Sequence, residues 1–60
     1  MPEATPLRLP EFAARYGITE RHARDLVRRR EVPFRKVGRL LMFDPAETDR
    51  WWDDLKVEAS

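Results

Sequence analysis

The stretch VRRREVPFRKVGRLLMF, residues 27–43, places six basic residues around one proline and one glycine and then becomes apolar. Proline disfavours helical geometry in the residue before it, so a helix that enters this stretch is predicted to end before Pro33. The runs 34–37 and 40–43 lie on either side of Gly38 and are typical of two short strands joined by a tight turn. The stretch therefore predicts the end of a helix followed by a β-hairpin.

Two helices are predicted before the hairpin. Apolar residues recur at helical spacing over residues 9–16, and Gly17 stands where a left-handed C-terminal cap belongs. Thr19 is a favourable N-cap for the second helix, which is expected to end near residue 29 or 30. Ile18 lies between them as an apolar plug. Two helices joined by so short a turn are typical of a helix-turn-helix.

A third helix is predicted to begin after Asp44. Aspartate is a favourable N-cap, Pro45 suits the first helical position, and Glu47 is acidic at the third. Residues 57–60, after this helix, are expected to fray. The predicted order of elements is therefore α-α-β-β-α, a mainly α-helical fold with a small hairpin.

The largest side chains of the chain lie on this third helix. One of its faces carries Thr48, Trp51, Trp52 and Leu55. In so small a protein we expect Trp51 to point inward with Leu55 and to supply the main filling of the core. Trp52 is expected to be partly covered and to offer a surface for protein contacts.

Length and composition limit the organisation of the chain. Sixty residues make one small domain, and a chain of this size buries only about 60% of its unfolded surface. We expect residues 1–6 to form a flexible tail and residues 7–56 to form the folded domain. Such a domain has no room for a catalytic cleft and the residues that would support it.

The residue types of the chain argue against catalysis and metal binding. Cysteine is absent, so neither a disulfide nor a thiolate metal site is available. The single histidine, His22, has no neighbour suited to a zinc site, and no Ser-His-Asp set, carboxylate pair or phosphate loop is present. We therefore expect no enzymatic activity, no cofactor and no bound metal.

Signals for export or membrane insertion are also missing. The longest apolar run is the four residues 40–43, whereas a membrane helix needs about 20. The N-terminal sequence MPEATP lacks the charged and apolar regions of a signal peptide. These features predict a soluble cytoplasmic protein that contacts no membrane.

Charge is divided unevenly along the chain. The net charge is only +1, but residues 8–39 carry ten basic and four acidic residues, whereas residues 40–60 carry two basic and six acidic ones. A domain polarised in this way presents one face suited to a polyanion.

The second helix is the first candidate for a DNA contact. Arg21, Arg24 and Arg28 lie at three- and four-residue steps on its exposed side, and Glu20 and His22 share its first turn with Arg21. A helix fits the major groove, where arginine pairs with guanine edges or holds phosphates. The alternative is an ordinary solvated face.

The hairpin is the second candidate. Gly38 supplies the backbone angles of a tight turn and Arg39 lies at its tip, where it is able to enter a narrow minor groove. If Leu41 and Phe43 face the core, strand alternation exposes Leu40 and Met42. These two side chains form an apolar patch that is either a contact with a neighbouring protein or without function.

The order of these motifs resembles the small MerR-type winged-helix domains of the phage excisionase family. The matching pieces span about residues 7–55 and are Gly17-Ile18-Thr19, Val32-Pro33, Lys36-Val37-Gly38-Arg39 and Trp51. The chain departs from the family pattern at Arg8, in place of a Ser or Thr cap, so the start of the first helix is expected to be held less firmly. Arg30 replaces a glycine, so a different turn is expected there. Thr48 replaces an aliphatic residue, which leaves its packing depth open, and Leu40 and Met42 stand where many relatives are basic.

The resemblance implies a winged helix-turn-helix that binds double-stranded DNA, with the second helix in the major groove and the hairpin as a wing in the adjacent minor groove. By position, the base-edge candidates are Glu20, Arg21 and Arg24. The backbone candidates are Thr19, Arg28, Arg35 and Lys36, and Arg39 is placed in the minor groove.

Excisionases bind adjacent sites head-to-tail and bend DNA so that an integrase excises rather than integrates. The resemblance therefore implies an integrase partner, self-association on DNA and a location at the nucleoid of a bacterial host cell. Two other functions stay open, because fold alone does not determine function. One is a small transcription regulator of the same fold, and the other is a protein-interaction or antitoxin-like module whose basic face binds an acidic protein.

Overall fold

The computed structural model describes residues 5–57 as three helices and a two-stranded antiparallel hairpin. The elements are α1 (Leu9–Tyr16), α2 (Glu20–Arg28), β1 (Arg35–Val37), β2 (Leu40–Met42) and α3 (Pro45–Asp54). This is the predicted α-α-β-β-α order. Residues 1–4 of the expected tail and 58–60 of the expected frayed end lie outside the described residues.

The predicted caps of the helices are present. Gly17 ends α1 in the left-handed region at φ 67°, and the Thr19 hydroxyl oxygen accepts a hydrogen bond from the His22 N–H at 3.0 Å. The start of α1 was expected to be weakly held because Arg8 replaces a capping side chain. Instead, the Glu11 carboxylate accepts a hydrogen bond from the Arg8 backbone N–H at 2.8 Å. A side chain of the first helical turn thus caps this end of α1.

The hairpin contributes to the core mainly through its second strand. Lys36 pairs with Leu41 and Val37 pairs with Leu40; all of β1 is exposed, whereas Leu41 packs against the core. Gly38 has φ 62°, a conformation that favours glycine at the turn. An isolated bridge joins Leu7 to Phe43 through two backbone hydrogen bonds of 2.7 and 2.8 Å, so the chain before α1 lies along the end of β2.

Arg30 keeps the left-handed conformation that glycine would adopt easily. Its φ is 57°, and it is the one non-glycine residue with positive φ among those described. The N–H of Arg30 donates to the carbonyl of Val27 and the N–H of Glu31 to that of Leu26, at 3.0 and 2.9 Å, which closes the C-terminus of α2. The expected alternative turn is therefore wrong, because these bonds require the left-handed residue.

Replacing Arg30 by glycine is expected to stabilise the protein by about 1 kcal/mol, because a left-handed non-glycine residue costs roughly that much. Urea unfolding followed by circular dichroism measures the change. Arg29→Gly is the control: Arg29 is a helical C-cap at φ −83°, so glycine there is expected to destabilise the protein. A loss of stability in Arg30→Gly would show that this position carries no strain.

Phenylalanines, rather than tryptophans, fill the centre of the core. The buried apolar residues are Leu9, Phe12, Ala13, Ala23, Val32 and Phe43. Phe12 and Phe43 are fully buried, and their rings stack with centroids 4.2 Å apart. Trp51 packs against this cluster from outside and is partly buried.

The expectation that Trp51 and Leu55 fill the core together is wrong. Leu55 is 55% exposed because it lies after the last turn of α3, beyond the reach of α1. Trp51 keeps its indole N–H near the surface, where it donates to the Glu31 carbonyl at 2.7 Å. Trp52 is 46% exposed and stacks on the Tyr16 ring, with the ring centroids 4.9 Å apart. The prediction that Trp52 is partly covered is confirmed.

A polar cluster joins α1 to α3. Arg15 donates two hydrogen bonds to the Asp49 carboxylate, at 3.0 and 2.6 Å, and the Tyr16 hydroxyl donates to the same carboxylate at 2.5 Å. Thr48, whose depth was in doubt, is fully buried and lies 2.8 Å from the Tyr16 hydroxyl. A threonine is accepted there because its hydroxyl also donates to the backbone of the preceding turn.

Acid is expected to weaken this junction. The hydrogen bonds from Arg15 and then Tyr16 lower the pKa of Asp49 from 3.8 to about 2. A carboxyl group with a depressed pKa contributes stability above its unfolded pKa, and this contribution is lost as the pH falls from 3.8 toward about 2. Thermal unfolding should therefore shift to lower temperature across that window, and less so in Asp49→Asn. An unchanged pH dependence in Asp49→Asn would contradict this role.

No helix in the part of the chain that the structure describes is long and apolar enough to cross a membrane.

Candidate nucleic-acid interface

The exposed side of α2 forms a basic groove. It is lined by Thr19, Arg21, His22, Arg24, Asp25 and Arg28 and has a volume of about 470 Å³. Ala23 is fully buried on the other side of the helix, and Leu26 and Val27 are half-buried there. The predicted division of α2 into an apolar stripe and a basic face is therefore confirmed.

A second groove brings the tip of the hairpin next to the start of α2. Arg39 and Leu40 line it together with Glu20 and Arg24, and its volume is about 340 Å³. Arg8 also lines this groove, although the sequence suggested no binding role for it. Two residues predicted to reach base edges thus lie beside the residue predicted to enter the minor groove.

The arginines that line the two grooves form no ion pair with a described residue. Among the residues that the structure describes, the ion pairs are Arg15–Asp49, Arg29–Asp25 and Arg35–Glu47. Two of these three pairs use carboxylates of α3, which lies outside both grooves. Among the cations predicted to contact DNA, those without an ion pair to a described residue are Arg21, Arg24, Arg28, Lys36 and Arg39, which we call the free basic set.

Arg35 differs from the other predicted phosphate contacts. Its guanidinium donates two hydrogen bonds to the Glu47 carboxylate, at 2.8 and 2.9 Å. This pairing raises the pKa of Arg35 and lowers the pKa of Glu47. Glu47, predicted only as a start signal of α3, therefore links that helix to the hairpin, and Arg35 is already engaged within the protein.

The face of the hairpin that carries Leu40 is more apolar than predicted. Leu40 is 41% exposed as expected, but Met42 is half-buried because it lies beside Arg35 and Pro6. Val37 is 59% exposed and was missed. The alternation that exposed Leu40 also exposes its partner across the turn, so the sequence contained the signal for Val37.

Trp52 does not join that apolar face. It lines a separate groove on α3 with Leu55 and Lys56. The three predicted protein contacts Leu40, Met42 and Trp52 therefore divide between two surfaces. A single partner surface that covers all three is not supported by this arrangement.

No group of His, Cys, Asp and Glu residues within residues 5–57 is placed to hold a metal ion. His22 lines the first groove together with Thr19, Asp25 and three arginines.

Comparison with known proteins found no matching family model, no matching curated protein and no matching solved structure. The resemblance to excisionases therefore stays a prediction from the motifs. The architecture of three helices and a hairpin rests on the structure itself.

Proposed function

We propose that this protein binds double-stranded DNA as a winged helix-turn-helix, with α2 in the major groove and the hairpin as the wing. The observation that carries the proposal is the free basic set, which lies on α2 and the hairpin, whereas the paired α3 carboxylates Asp49 and Glu47 engage Arg15 and Arg35. Unpaired exposed arginines cost little to bring to phosphates, because no internal ion pair has to be broken first.

The N-terminal half of α2 supplies the candidates for reading bases. Glu20, Arg21 and Arg24 are exposed there. Thr19 caps the N-terminus of α2 through its hydroxyl oxygen and retains its own O–H for a phosphate. Arg28, one helical turn beyond Arg24, is suited to the flanking backbone.

The motif resemblance supports an architectural role of the excisionase type. In that role the protein positions and bends attachment-site DNA, several copies lie side by side on it, and an integrase performs the strand exchange. The free basic set supplies the electrostatic part of such a role, since bending DNA is favoured where a cationic surface follows the phosphates.

Affinity for duplex DNA is expected to fall steeply with salt. Four to six phosphate contacts correspond to a slope of roughly −4 to −5 in log K against log salt. Fluorescence anisotropy with a labelled duplex between about 50 and 200 mM salt measures this slope. The control, Arg50→Ala, removes an exposed arginine of α3 and should keep the slope of the wild type.

Binding that is absent or independent of salt would favour a protein-interaction module instead. If DNA binding holds, a recombination assay with the integrase and attachment sites of the same genome tests the excisionase role. Stimulated excision with inhibited integration is the expected result. Repression of a promoter without an effect on recombination would favour a small transcription regulator.

A further inference from the structure

The ion pair between Arg35 and Glu47 lies at the base of the hairpin. Both nitrogens of the guanidinium fork engage both carboxylate oxygens, and the side chains are 58% and 41% exposed. It is the one side-chain link between the hairpin and α3 among the hydrogen bonds of the described residues. Exposed pairs of this kind contribute little to stability. Their effect on charge at a binding surface is larger than their effect on folding.

Arg35 precedes Lys36 in β1, the strand that leads into the turn with Arg39. It lines neither basic groove, and its guanidinium is paired with Glu47. A phosphate that approached Arg35 would have to displace Glu47 or accept its carboxylate as a neighbour. Asp44 also acts on Arg35 and strengthens its positive form.

We propose that Glu47 acts as an intramolecular competitor of DNA phosphate for Arg35, and so limits sequence-independent binding by the hairpin. The inference rests on the proposed function. Glu47 in this sense sets the general affinity for duplex DNA and not the choice of sequence, because the base-reading candidates on α2 are untouched.

The competition follows from charge and geometry. A carboxylate and a phosphate both accept a bidentate guanidinium, so Arg35 is able to engage one of them fully at a time. If it turned to phosphate, Glu47 would be left as an unpaired anion beside a polyanion. The cost of that repulsion cancels the gain from the new contact, and Arg35 adds little to affinity in the wild type.

Glu47→Gln tests the proposal directly. Glutamine keeps the size of the side chain and an acceptor oxygen but removes the charge. We expect the affinity for a random-sequence duplex to rise on the order of fivefold, and the salt slope to steepen by about 0.9, the value for one added phosphate contact. Arg35→Gln/Glu47→Gln should return the slope to that of the wild type.

Asp49→Asn is the matched control. It also neutralises a carboxylate of α3 that holds an arginine in a bidentate pair, but the arginine it frees is Arg15, which lies on α1 and not on the hairpin that carries Lys36 and Arg39. Its salt slope should equal that of the wild type. Thermal unfolding of each variant establishes that binding is compared between folded proteins.

Three results would overturn the inference. An unchanged slope or weaker binding in Glu47→Gln would show that the pair positions the hairpin rather than withholding Arg35. An equal gain in Asp49→Asn would show an effect of net charge alone. If the wild type itself does not bind duplex DNA, the proposed function fails first and this inference fails with it. The wild-type measurement therefore distinguishes the two failures.

Discussion

Replacing Arg24 and Arg28 together by alanine is expected to lower the affinity for duplex DNA by about two orders of magnitude. A hydrogen bond to a charged group contributes about 1.5–3 kcal/mol, and a tenfold change in affinity corresponds to about 1.4 kcal/mol. Both arginines are exposed and form no ion pair among the described residues. Their loss therefore removes contacts with DNA and leaves the internal contacts intact.

The fold of this double variant should be preserved, since alanine is the most favourable residue in a helix interior. Anisotropy titration with the wild type's own high-affinity duplex, selected from a random library, measures the change in affinity. Arg50→Ala, on α3, is the single-charge control and should change the affinity less than about threefold, because a rim charge acts mainly through screened attraction. If Arg50→Ala lowered the affinity as much as each arginine of the double variant does, no particular face of the protein would be the DNA-binding face.

Replacing Phe12 by alanine is expected to leave the protein largely unfolded. The side chain is fully buried, stacks on Phe43 and also contacts the rings of Tyr16 and Trp51. Truncation of such a phenylalanine costs about 3–5 kcal/mol. A domain of 60 residues has a total stability of roughly 3–9 kcal/mol at typical values per residue. The free energy lost on truncation is therefore comparable with the whole free energy of unfolding.

Urea denaturation followed by circular dichroism measures this effect. Leu55→Ala is the control, because Leu55 was predicted to lie in the core but is 55% exposed. Its cost should stay within about 0.5 kcal/mol, as for other surface substitutions. If Phe12→Ala unfolded at nearly the same urea concentration as the wild type, or Leu55→Ala proved the more damaging, the assignment of the core would be wrong.

The helices and the hairpin were predictable because their boundary signals are local. Gly17 and Thr19 close and open consecutive helices, and Asp44 opens the third through its carboxylate, which accepts the Ala46 N–H at 2.9 Å. Each of these signals acts within one turn of backbone. Gly38 fixes the turn of the hairpin for the same reason, and strand alternation then assigns Leu41 and Phe43 to the inner face.

The filling of the core was predicted less well. Residue size favoured Trp51 and Leu55, but burial depends on where α3 lies against α1 and on where α3 ends. Helical periodicity names the residues that share a face, and it does not say how far along the helix that face is covered. The depth of Thr48 likewise depends on Tyr16, which lies 32 positions earlier in the chain.

The sequence by itself determined the order of elements, the basic face of α2 and the exposed Leu40, because these follow from neighbours within a few residues. Only the tertiary structure decided which charges are free. Arg35 pairs with Glu47, which is 12 positions away in the sequence, and Arg15 pairs with Asp49, which is 34 positions away. Such pairs depend on the angle and distance at which helices and strands pack, so no local pattern separates a paired arginine from one available to DNA. That distinction leaves Lys36 as the unpaired one of the two phosphate contacts predicted for the hairpin, and it makes Glu47 a residue of functional interest.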